Sequence, residues 1–295
     1  MAELVSLASD VLSARINPLG AELWSLTDRQ GREYMTNADP EFWTGHAPLL
    51  FPIVGMLKDG RYRLGENSYA LPKHGFARHS RFDVVASGPD FVQFQLTDDA
   101  ETRASYPFSF VLDVTFRLEA STLHVEAQVS NTGDEPLPFS FGYHPAFAWP
   151  LPGSGAKEDH RVIFEAAEPQ PIRRIDPETG LLLADTFPSP VEGSQLAPDA
   201  ALFEPDALIW DQLASRSVRF EAPASASITV TFPDTPMLGI WQKPGAAFLC
   251  IEPWQGIADP VGFECDFRDK PGVISLARGE ARTFRMDVTV SQPAS

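Results

Sequence analysis

The sequence predicts an all-β protein, a large antiparallel β-sandwich with a few short helices. Three observations favour this fold class: apolar and polar residues alternate along several segments, turn-forming residues separate these segments, and no strand-helix-strand rhythm is present. There is also no internal repeat and no low-complexity linker. We therefore expect residues 1–295 to form a single β-sandwich domain.

The alternation is clearest between Phe108 and Leu118, where every second residue is apolar and Val111 is the only apolar residue on the other face. The same period of two recurs in 123–129 and in 284–290. Successive side chains of a strand point to opposite faces, so this pattern is typical of strands with one buried face. These three segments are predicted to belong to antiparallel sheets that pack on each other.

Turn chemistry separates the predicted strands. Asn131-Thr132-Gly133-Asp134 follows the second alternating segment, and 27 prolines with 20 glycines interrupt the chain. The best helical start is Asp39-Pro40-Glu41, where Asp39 is a suitable N-cap and Pro40 would take the first helical position. The segment 150–200 is rich in Pro, Gly, Glu and Asp and is expected to form long loops.

Composition narrows the class of partner. Forty acidic and 23 basic residues give a formal net charge of −17, which repels phosphate backbones and anionic membrane surfaces. We expect no nucleic-acid and no membrane partner, and a small neutral or weakly charged ligand instead. Cys250 and Cys265 are expected to be free thiols. The N-terminus lacks a secretory pattern and no apolar stretch is long enough to span a bilayer, so a cytoplasmic location is expected.

Two histidines lie in unusual surroundings. His144 lies in a run with almost no charge, where desolvation favours the neutral imidazole; a core histidine bonded to the backbone is the alternative. His74 precedes Gly75, which permits close backbone approach, and lies near Arg78, whose planar guanidinium suits hydroxyls, a carboxylate or a phosphate. A polar surface turn is the alternative there.

Glu252 is the carboxylate with the strongest chemical pattern. It follows four apolar residues and precedes a proline and Trp254, so burial should raise its pKa and suit it to general acid or base catalysis. A structural pairing with an arginine is the alternative. Asp206 and Asp211 flank a short apolar run, and the simpler interpretation is that both are surface carboxylates. Trp241 and Trp254 could stack on a sugar ring, although aromatic residues of a β-sandwich are more often part of the core.

The acidic chain also contains a local excess of positive charge. Two acidic residues, Asp59 and Glu66, oppose six basic residues between positions 58 and 81: Lys58, Arg61, Arg63, Lys73, Arg78 and Arg81. Such a run is usually the solvated face of a hairpin, and it could instead rim an anion-binding site. Several chemistries are excluded, since the sequence has no phosphate-binding glycine loop, dinucleotide fingerprint, G-x-S-x-G motif or paired-cysteine zinc motif.

Taken together, the motifs resemble those of the aldose 1-epimerase (galactose mutarotase) family, especially its bacterial mutarotase-like branch. The resemblance runs nearly end to end through seven segments: Asn17–Leu23, Leu50–Gly55, Leu57–Gly60, His74–Arg78, Phe141–Pro145, Leu238–Trp241 and Ile251–Trp254. It implies a large antiparallel β-sandwich with an open cleft, no metal and no cofactor.

The resemblance also implies roles for individual residues. His144 resembles the general acid that protonates the ring oxygen, and Glu252 the base that takes the proton of the anomeric hydroxyl. His74 resembles a histidine that orients the substrate, Asp206 a hydroxyl-binding aspartate, and Arg78 the arginine of the branch's H-G-F-A-R element. The implied partner is a small sugar, an aldohexose with or without a phosphate, and the protein is expected to be a monomer or homodimer.

One position departs from the family pattern. Many relatives carry an arginine, thought to hold the ring oxygen and nearby hydroxyls, where Met56 stands here. Methionine cannot do this, so either Lys58 or Arg78 substitutes for it or the substrate differs. Three alternatives to a free-hexose mutarotase remain, of which the Met56 departure motivates the non-catalytic one and the basic run at 58–81 the phosphorylated substrate. They are a hexose 6-phosphate mutarotase, a non-catalytic sugar-binding or regulatory protein, and a glycoside hydrolase that uses Glu252 with Asp206 or Asp211.

Overall fold

A computed structural model describes residues 3–293 of the chain, and strands dominate this part. It contains one α-helix, Ala100–Ser105, and five short 3-10 turns, at Lys58–Gly60, Ala77–His79, Lys157–Asp159, Ala200–Phe203 and Phe267–Asp269. The strands are β1 (Val5–Ala8), β2 (Leu12–Asn17), β3 (Glu22–Asp28), β4 (Leu49–Leu50), β5 (Arg61–Leu64), β6 (Asn67–Ala70), β7 (Asp83–Ser87), β8 (Phe91–Thr97), β9 (Phe110–Glu119), β10 (Thr122–Asn131), β11 (Leu137–Phe139), β12 (Phe141–Tyr143), β13 (Ala146–Ala148), β14 (Arg161–Phe164), β15 (Gln195–Leu196), β16 (Leu208–Trp210), β17 (Ser217–Glu221), β18 (Ser227–Thr231), β19 (Met237–Trp241), β20 (Phe248–Gln255), β21 (Ile274–Leu276) and β22 (Ala281–Ser291).

Two large sheets organise the molecule. The larger has nine strands in the order β15-β14-β17-β18-β22-β10-β9-β8-β7. The smaller has the order β16-β19-β20-β12-β4, with β13 pairing with β20 as its sixth strand. Their strands pair antiparallel. The predicted antiparallel all-β fold is confirmed.

The three alternating segments lie side by side in the nine-stranded sheet, where β10 pairs with both β9 and β22. Buried residues alternate with more exposed ones along all three strands, as the sequence pattern predicts. Val111, the single apolar residue on the outer face of its segment, is only partly buried. The inner faces of these strands form one wall of the main core.

The smaller sheet packs against that wall through aromatic side chains. Phe141 of β12 stacks on Phe284 of β22, with ring centroids 4.8 Å apart and an interplanar angle of 14°. Tyr143 donates its hydroxyl to the backbone carbonyl of Phe284 at 2.9 Å. These contacts at the first and last residues of β12 fix the position from which the chain continues to His144.

Strand β20 differs from the alternating strands because its residues Phe248 to Trp254 are all buried. It lies inside the smaller sheet, with β19 on one side and β12 and β13 on the other. A strand that is covered on both faces reads as a continuous apolar run. Glu252 interrupts this run, so its carboxylate is carried into the interior by the burial of its neighbours.

The predicted helix at Asp39-Pro40-Glu41 is wrong, because only a single turn forms there. The carbonyl of Asp39 accepts hydrogen bonds from the backbone of Phe42 and Trp43, and its side chain accepts one from the backbone of Glu41. The helix does not continue because tertiary packing holds the ring of Trp43 against His144, and Gly45 follows with low helix propensity.

The predictions for the segment 150–200 and for the two cysteines are confirmed. Between residues 150 and 200 the strands are limited to β14 and β15, so most of this segment is loop. Both Cys250, which is buried, and Cys265, which is exposed, are free thiols. In residues 3–293, no helix has the length and apolar character needed to cross a membrane.

Candidate active site

A cavity of about 230 Å³ lies where the smaller sheet meets the segments 73–78 and 175–180. It brings together residues named in the sequence analysis that are far apart along the chain, among them His74, Arg78, His144, Asp206, Trp241 and Glu252. Trp254 also lines it, together with apolar side chains that include Val54, Ile175 and Ile209. A concave, largely apolar site with a few convergent polar groups is typical of a small-molecule site.

His144 and Glu252 form the centre of this cavity. His144 lies in the two-residue break between β12 and β13, and the neighbouring Pro145 accepts a backbone hydrogen bond from Ile251 at 3.2 Å. This hydrogen bond holds the segment His144-Pro145 beside Glu252 on β20. His144 Nε2 lies 3.1 Å from Glu252 Oε2, and the two side chains are 9% and 2% exposed. The two groups are close but not aligned for a hydrogen bond, so Oε2 keeps no such partner within residues 3–293.

Burial shifts the two pKa values in opposite directions. Desolvation raises the pKa of the Glu252 carboxyl well above its usual value, an effect that Asp206 reinforces and Lys73 opposes. Desolvation lowers the pKa of His144 to about 3, and the positive charge of Arg78 acts in the same direction. Both shifts favour the uncharged pair, a protonated carboxyl beside a neutral imidazole. Moving that one proton across the pair gives a carboxylate and an imidazolium with the same total charge.

His74 is held by the backbone of a neighbouring segment. Its Nδ1 accepts a hydrogen bond from the backbone N–H of Gly55 at 3.1 Å. Gly75 is required beside it, because a Cβ there would come within 2.2 Å of the carbonyl oxygen of Phe51 and the backbone has a φ of +75°. The close backbone approach predicted from Gly75 is confirmed. Desolvation also lowers the pKa of His74 well below its usual value, so the ring is neutral.

Aromatic rings surround the imidazole of His144. Trp43 stacks on it with a centroid distance of 5.0 Å and an interplanar angle of 30°, and Trp241 meets it edge-on at 6.0 Å. The ring of His74 lies perpendicular to it at 5.7 Å. These rings exclude water from His144 and limit its rotation. Trp43 and Trp241 also present indole surface to the cavity, where the apolar face of a sugar could stack.

Two cations line the cavity without a protein partner. Neither Lys73 nor Arg78 makes a hydrogen bond or an ion pair with any group in the part of the chain that the structure describes. Burial lowers the pKa of the Arg78 guanidinium, and the nearby charge of Glu22 opposes that shift. Glu22 is itself held by the backbone N–H groups of His46 and Ala47, at 2.7 Å and 2.9 Å. The donors of Lys73 and Arg78 therefore remain available to a ligand.

The two aspartates considered from sequence have different positions. Asp206 lines the cavity in a left-handed backbone conformation, with a φ of +67°, and its Oδ1 accepts the N–H of Ala207 at 2.7 Å. Asp211 does not line the cavity, and its carboxylate pairs with Arg173 at 3.2 Å. The structure thus brings Asp206 to Glu252 and keeps Asp211 apart from it.

Lys58 lies outside this group. Its ammonium pairs with Glu264 at 2.6 Å, and it lines a separate cavity of about 300 Å³ with Arg61 and Arg63. The basic run between 58 and 81 is therefore divided, because the hairpin of β5 and β6 carries one part away from Lys73 and Arg78. Of the two cations proposed to replace the family arginine, Arg78 reaches the cavity and Lys58 does not.

Met56, the departure from the family pattern, lies behind the cavity wall. A Cβ on Gly180, which lines the cavity, would come within 3.3 Å of the Cβ of Met56. Gly180 belongs to a tight loop in which its N–H bonds to the carbonyl of Asp176. Met56 therefore supports this loop with an apolar contact at the position where many relatives carry an arginine.

Sequence reasoning missed Trp43 and a buried ion pair, and it named Lys73 only as a member of the basic run. Lys270 and Asp259 lie 2.6 Å apart with side chains 0% and 3% exposed. Asp259 also accepts the N–H of Lys58 and exchanges backbone hydrogen bonds with Met56 and Leu182. This pair therefore ties together the segments behind the cavity wall. No local pattern distinguishes Asp259 and Lys270.

Known proteins resemble this chain in sequence and in fold. A family model described as aldose 1-epimerase matches residues 3–288. The plasmid-encoded protein LacX of Lactococcus lactis subsp. lactis is 33% identical, over 97% of this chain and 99% of its own. A galactose mutarotase-like protein from Lactobacillus casei ATCC 334 superposes with a TM-score of 0.91 at 30% identity, covering 98% of this chain and 100% of its own. A galactose mutarotase related enzyme from Lactobacillus acidophilus superposes with a TM-score of 0.89 at 31% identity and covers 98% of each chain.

Proposed function

The chain belongs to the aldose 1-epimerase family, and on that premise we propose that it interconverts the α and β anomers of an aldohexose, with His144 as general acid and Glu252 as general base. The observation that carries this proposal is the 3.1 Å separation of His144 Nε2 and Glu252 Oε2 in the wall of the cavity. The two oxygens that must exchange protons in mutarotation are bonded to the same carbon. Two catalytic groups this close together can serve both oxygens.

In the proposed reaction, His144 and Glu252 together hold one transferable proton, and the total charge of the pair does not change. In the charged form of the pair, Glu252 takes the proton of the C1 hydroxyl while His144 delivers its proton to the ring oxygen, and the C1–O5 bond breaks. The products are an open-chain aldehyde, a protonated Glu252 and a neutral His144. After rotation about C1–C2, this uncharged pair returns the protons in the opposite sense and closes the ring. The charged and uncharged forms thus serve opening and closing.

The surrounding residues support binding of a sugar ring. Asp206 offers a carboxylate oxygen to hydroxyls, His74 offers its remaining ring nitrogen, and Trp43 or Trp241 offers an aromatic surface. Apolar residues of the cavity, such as Val54 and Ile209, would contact the C–H face of the ring. We infer that the hydroxyl pattern is read on the side of Asp206 and His74.

The experiment is a measurement of anomerisation by polarimetry or exchange NMR with glucose and galactose. Loss of general acid or base catalysis typically costs between about 10² and 10⁴ in rate, so Glu252→Gln and His144→Ala should each fall by at least the lower figure. Asp211→Asn, which removes a nearby carboxylate outside the cavity, is the matched control and should retain activity. Sugar binding without anomerisation in the unmodified protein would contradict the proposal and favour the non-catalytic alternative.

A second candidate is a mutarotase of hexose 6-phosphates, which the unpartnered cations Lys73 and Arg78 favour. On a chain of net charge −17, two free cations at one cavity are suited to an anionic substituent. For this candidate, glucose 6-phosphate should be a better substrate than glucose, and Arg78→Met should remove most of that preference. Arg63→Met, which alters the other cavity, should leave the preference unchanged. Equal rates with the two sugars would contradict the phosphate variant and leave the first proposal intact.

A further inference from the structure

We propose that Cys250, His144 and Glu252 form a binding site for a soft divalent cation such as Zn²⁺, and that the bound cation blocks the acid/base pair. The three side chains are buried, and the thiol sulfur, one imidazole nitrogen and one carboxylate oxygen all lie within 4.8 Å of one another. This site goes beyond the proposed mutarotase function, because cation binding is measurable whether or not the protein turns over a sugar.

The fold brings the three ligands together. Cys250 and Glu252 are two residues apart on β20, so their side chains leave the strand on the same face. Opposite Cys250 in the sheet lies Ala146, two residues after His144. The small side chain of Ala146 leaves the thiol within reach of the imidazole.

Two of the ligand residues carry polar atoms without partners. In residues 3–293, neither Glu252 Oε2 nor His144 Nδ1 has a hydrogen-bond partner, although both atoms are buried. The Glu252 side chain is 2% exposed and lines the cavity. Buried polar groups are ordinarily satisfied, so this unpaired carboxylate oxygen points to a ligand that completes its coordination.

The combination of donors matches a soft or borderline cation. Zn²⁺ binds thiolate, imidazole and carboxylate in tetrahedral geometry, and three protein ligands leave a fourth position open to water or another small ligand. Metal–ligand distances of about 2.0–2.3 Å place tetrahedral ligand atoms roughly 3.5 Å apart. The present separations of up to 4.8 Å therefore require the side chains to close by about 1 Å. A hard cation such as Mg²⁺ has little affinity for a thiolate.

The alternative role of Cys250 is to fill space in a small apolar cluster with Ala146, Ala246 and Phe248. The two roles predict different chemistry. Cation binding would replace the thiol proton of Cys250 with a metal–sulfur bond, because a coordinating cysteine binds as the thiolate. A space-filling thiol predicts no specific response to cations.

The test measures Zn²⁺ binding by isothermal titration calorimetry and the near-ultraviolet absorption of the Co²⁺-loaded protein. We expect one Zn²⁺ per chain and a thiolate-to-Co²⁺ charge-transfer band. Cys250→Ala should lose the band and bind Zn²⁺ at least about tenfold more weakly. Cys265→Ala is the matched control, because its thiol is exposed and lies at the other cavity, and it should bind like the unmodified protein.

Several outcomes would overturn the site. They are absence of the charge-transfer band in the unmodified protein, equal Zn²⁺ affinity in Cys250→Ala, or equal binding of Mg²⁺ and Zn²⁺. The band is measured on the unmodified protein, so the result does not depend on the folding of a variant. Where sugar turnover is present, Zn²⁺ should inhibit it. Inhibition of Cys250→Ala should require a higher Zn²⁺ concentration than inhibition of the unmodified protein or of Cys265→Ala. Absence of turnover would contradict the proposed function and leave the binding result valid.

Discussion

The backbone N–H of Gly55 donates to Nδ1 of His74 at 3.1 Å and thereby fixes the tautomer of that imidazole. With Nδ1 acting as acceptor, the proton of the neutral ring resides on Nε2, which becomes a hydrogen-bond donor. His74 also has a left-handed backbone with a φ of +68°. Its ring is therefore placed by backbone geometry and can orient a substrate oxygen without taking part in proton exchange.

We expect His74→Ala to raise KM about tenfold or more while changing kcat much less. A hydrogen bond that is made equally to the sugar and to the transition state contributes to binding rather than to the chemical step, and losing one to a buried group costs about 1–3 kcal/mol. Steady-state anomerisation kinetics measure the two constants. His79→Ala is the control, because His79 is exposed at the end of the same 3-10 turn. A fall confined to kcat would contradict a positioning role for His74.

Sequence alternation was sufficient to locate strands whose burial is one-sided. The segments 108–118, 123–129 and 284–290 correspond to β9, β10 and β22 with boundary shifts of a few residues, because the core wall of the nine-stranded sheet selects alternate side chains. Asp39 shows where local signals are insufficient. Its capping chemistry is present, yet the packing of Trp43 on His144 ends the turn before a helix can form.

The candidate site was predictable only in part, because some of its residues have a local sequence pattern and others are brought together only by the tertiary fold. Glu252 carries a local signature, because a carboxylate inside an apolar run can be recognised without knowing its neighbours. Lys58 and Lys73 belong to the same basic run, and only the course of the β5–β6 hairpin decides which one reaches the cavity. Trp43 and His144 lie about 100 residues apart, so their stacking is a product of the tertiary fold. Pairwise placement of this kind leaves no trace in a single sequence.

The stability of the protein should fall as the pH is lowered from about 6.5 to 5. Desolvation lowers the folded-state pKa of five histidines below the ordinary value for an imidazole: His46, His74, His79, His144 and His160. The unfolded chain therefore binds more protons in this window, and the free energy of unfolding decreases as the pH falls. Glu22 and Glu252 have raised pKa values and act with the opposite sign, but they are fewer. Thermal unfolding followed by circular dichroism across this range measures the net effect.

His46→Phe isolates one of these groups. His46 packs on Trp24 with ring centroids 4.3 Å apart, and burial lowers its pKa to about 4. Phenylalanine keeps a ring against Trp24 and removes the protonation site, so the pH slope should decrease by up to about 1.4 kcal/mol per pH unit. An unchanged slope would show that His46 is protonated equally in the folded and unfolded chains.

Gly180→Ala should weaken substrate binding as well as stability. The residue has a φ of +73°, and its added Cβ would lie 3.3 Å from the Cβ of Met56. The left-handed backbone costs roughly 1 kcal/mol for alanine, and the contact with Met56 would displace the loop that borders the cavity. We therefore expect a lower unfolding midpoint in urea and a higher KM.

Gly193→Ala is the matched control for this variant. Gly193 has a φ of +65°, and an added Cβ there meets nothing within 4 Å. It should show the same loss of stability with an unchanged KM. A normal KM in Gly180→Ala would mean that the contact with Met56 does not shape the cavity.

Lys270→Met should destabilise the chain by about 3–5 kcal/mol, because it leaves the buried carboxylate of Asp259 without its counter-charge. Asp259 would keep only the N–H of Lys58, at 2.9 Å, as a partner for its carboxylate. Addition of Asp259→Asn removes the stranded charge, so the double variant should recover part of the loss. Urea denaturation measures these differences.

Arg278→Met is the control, since its ion pair with Asp134 has side chains 75% and 81% exposed and contributes less than about 1 kcal/mol. If Lys270→Met and Arg278→Met cost the same, burial would not be what makes the Asp259–Lys270 pair important, and the segments behind the cavity would have to be held by their backbone hydrogen bonds alone.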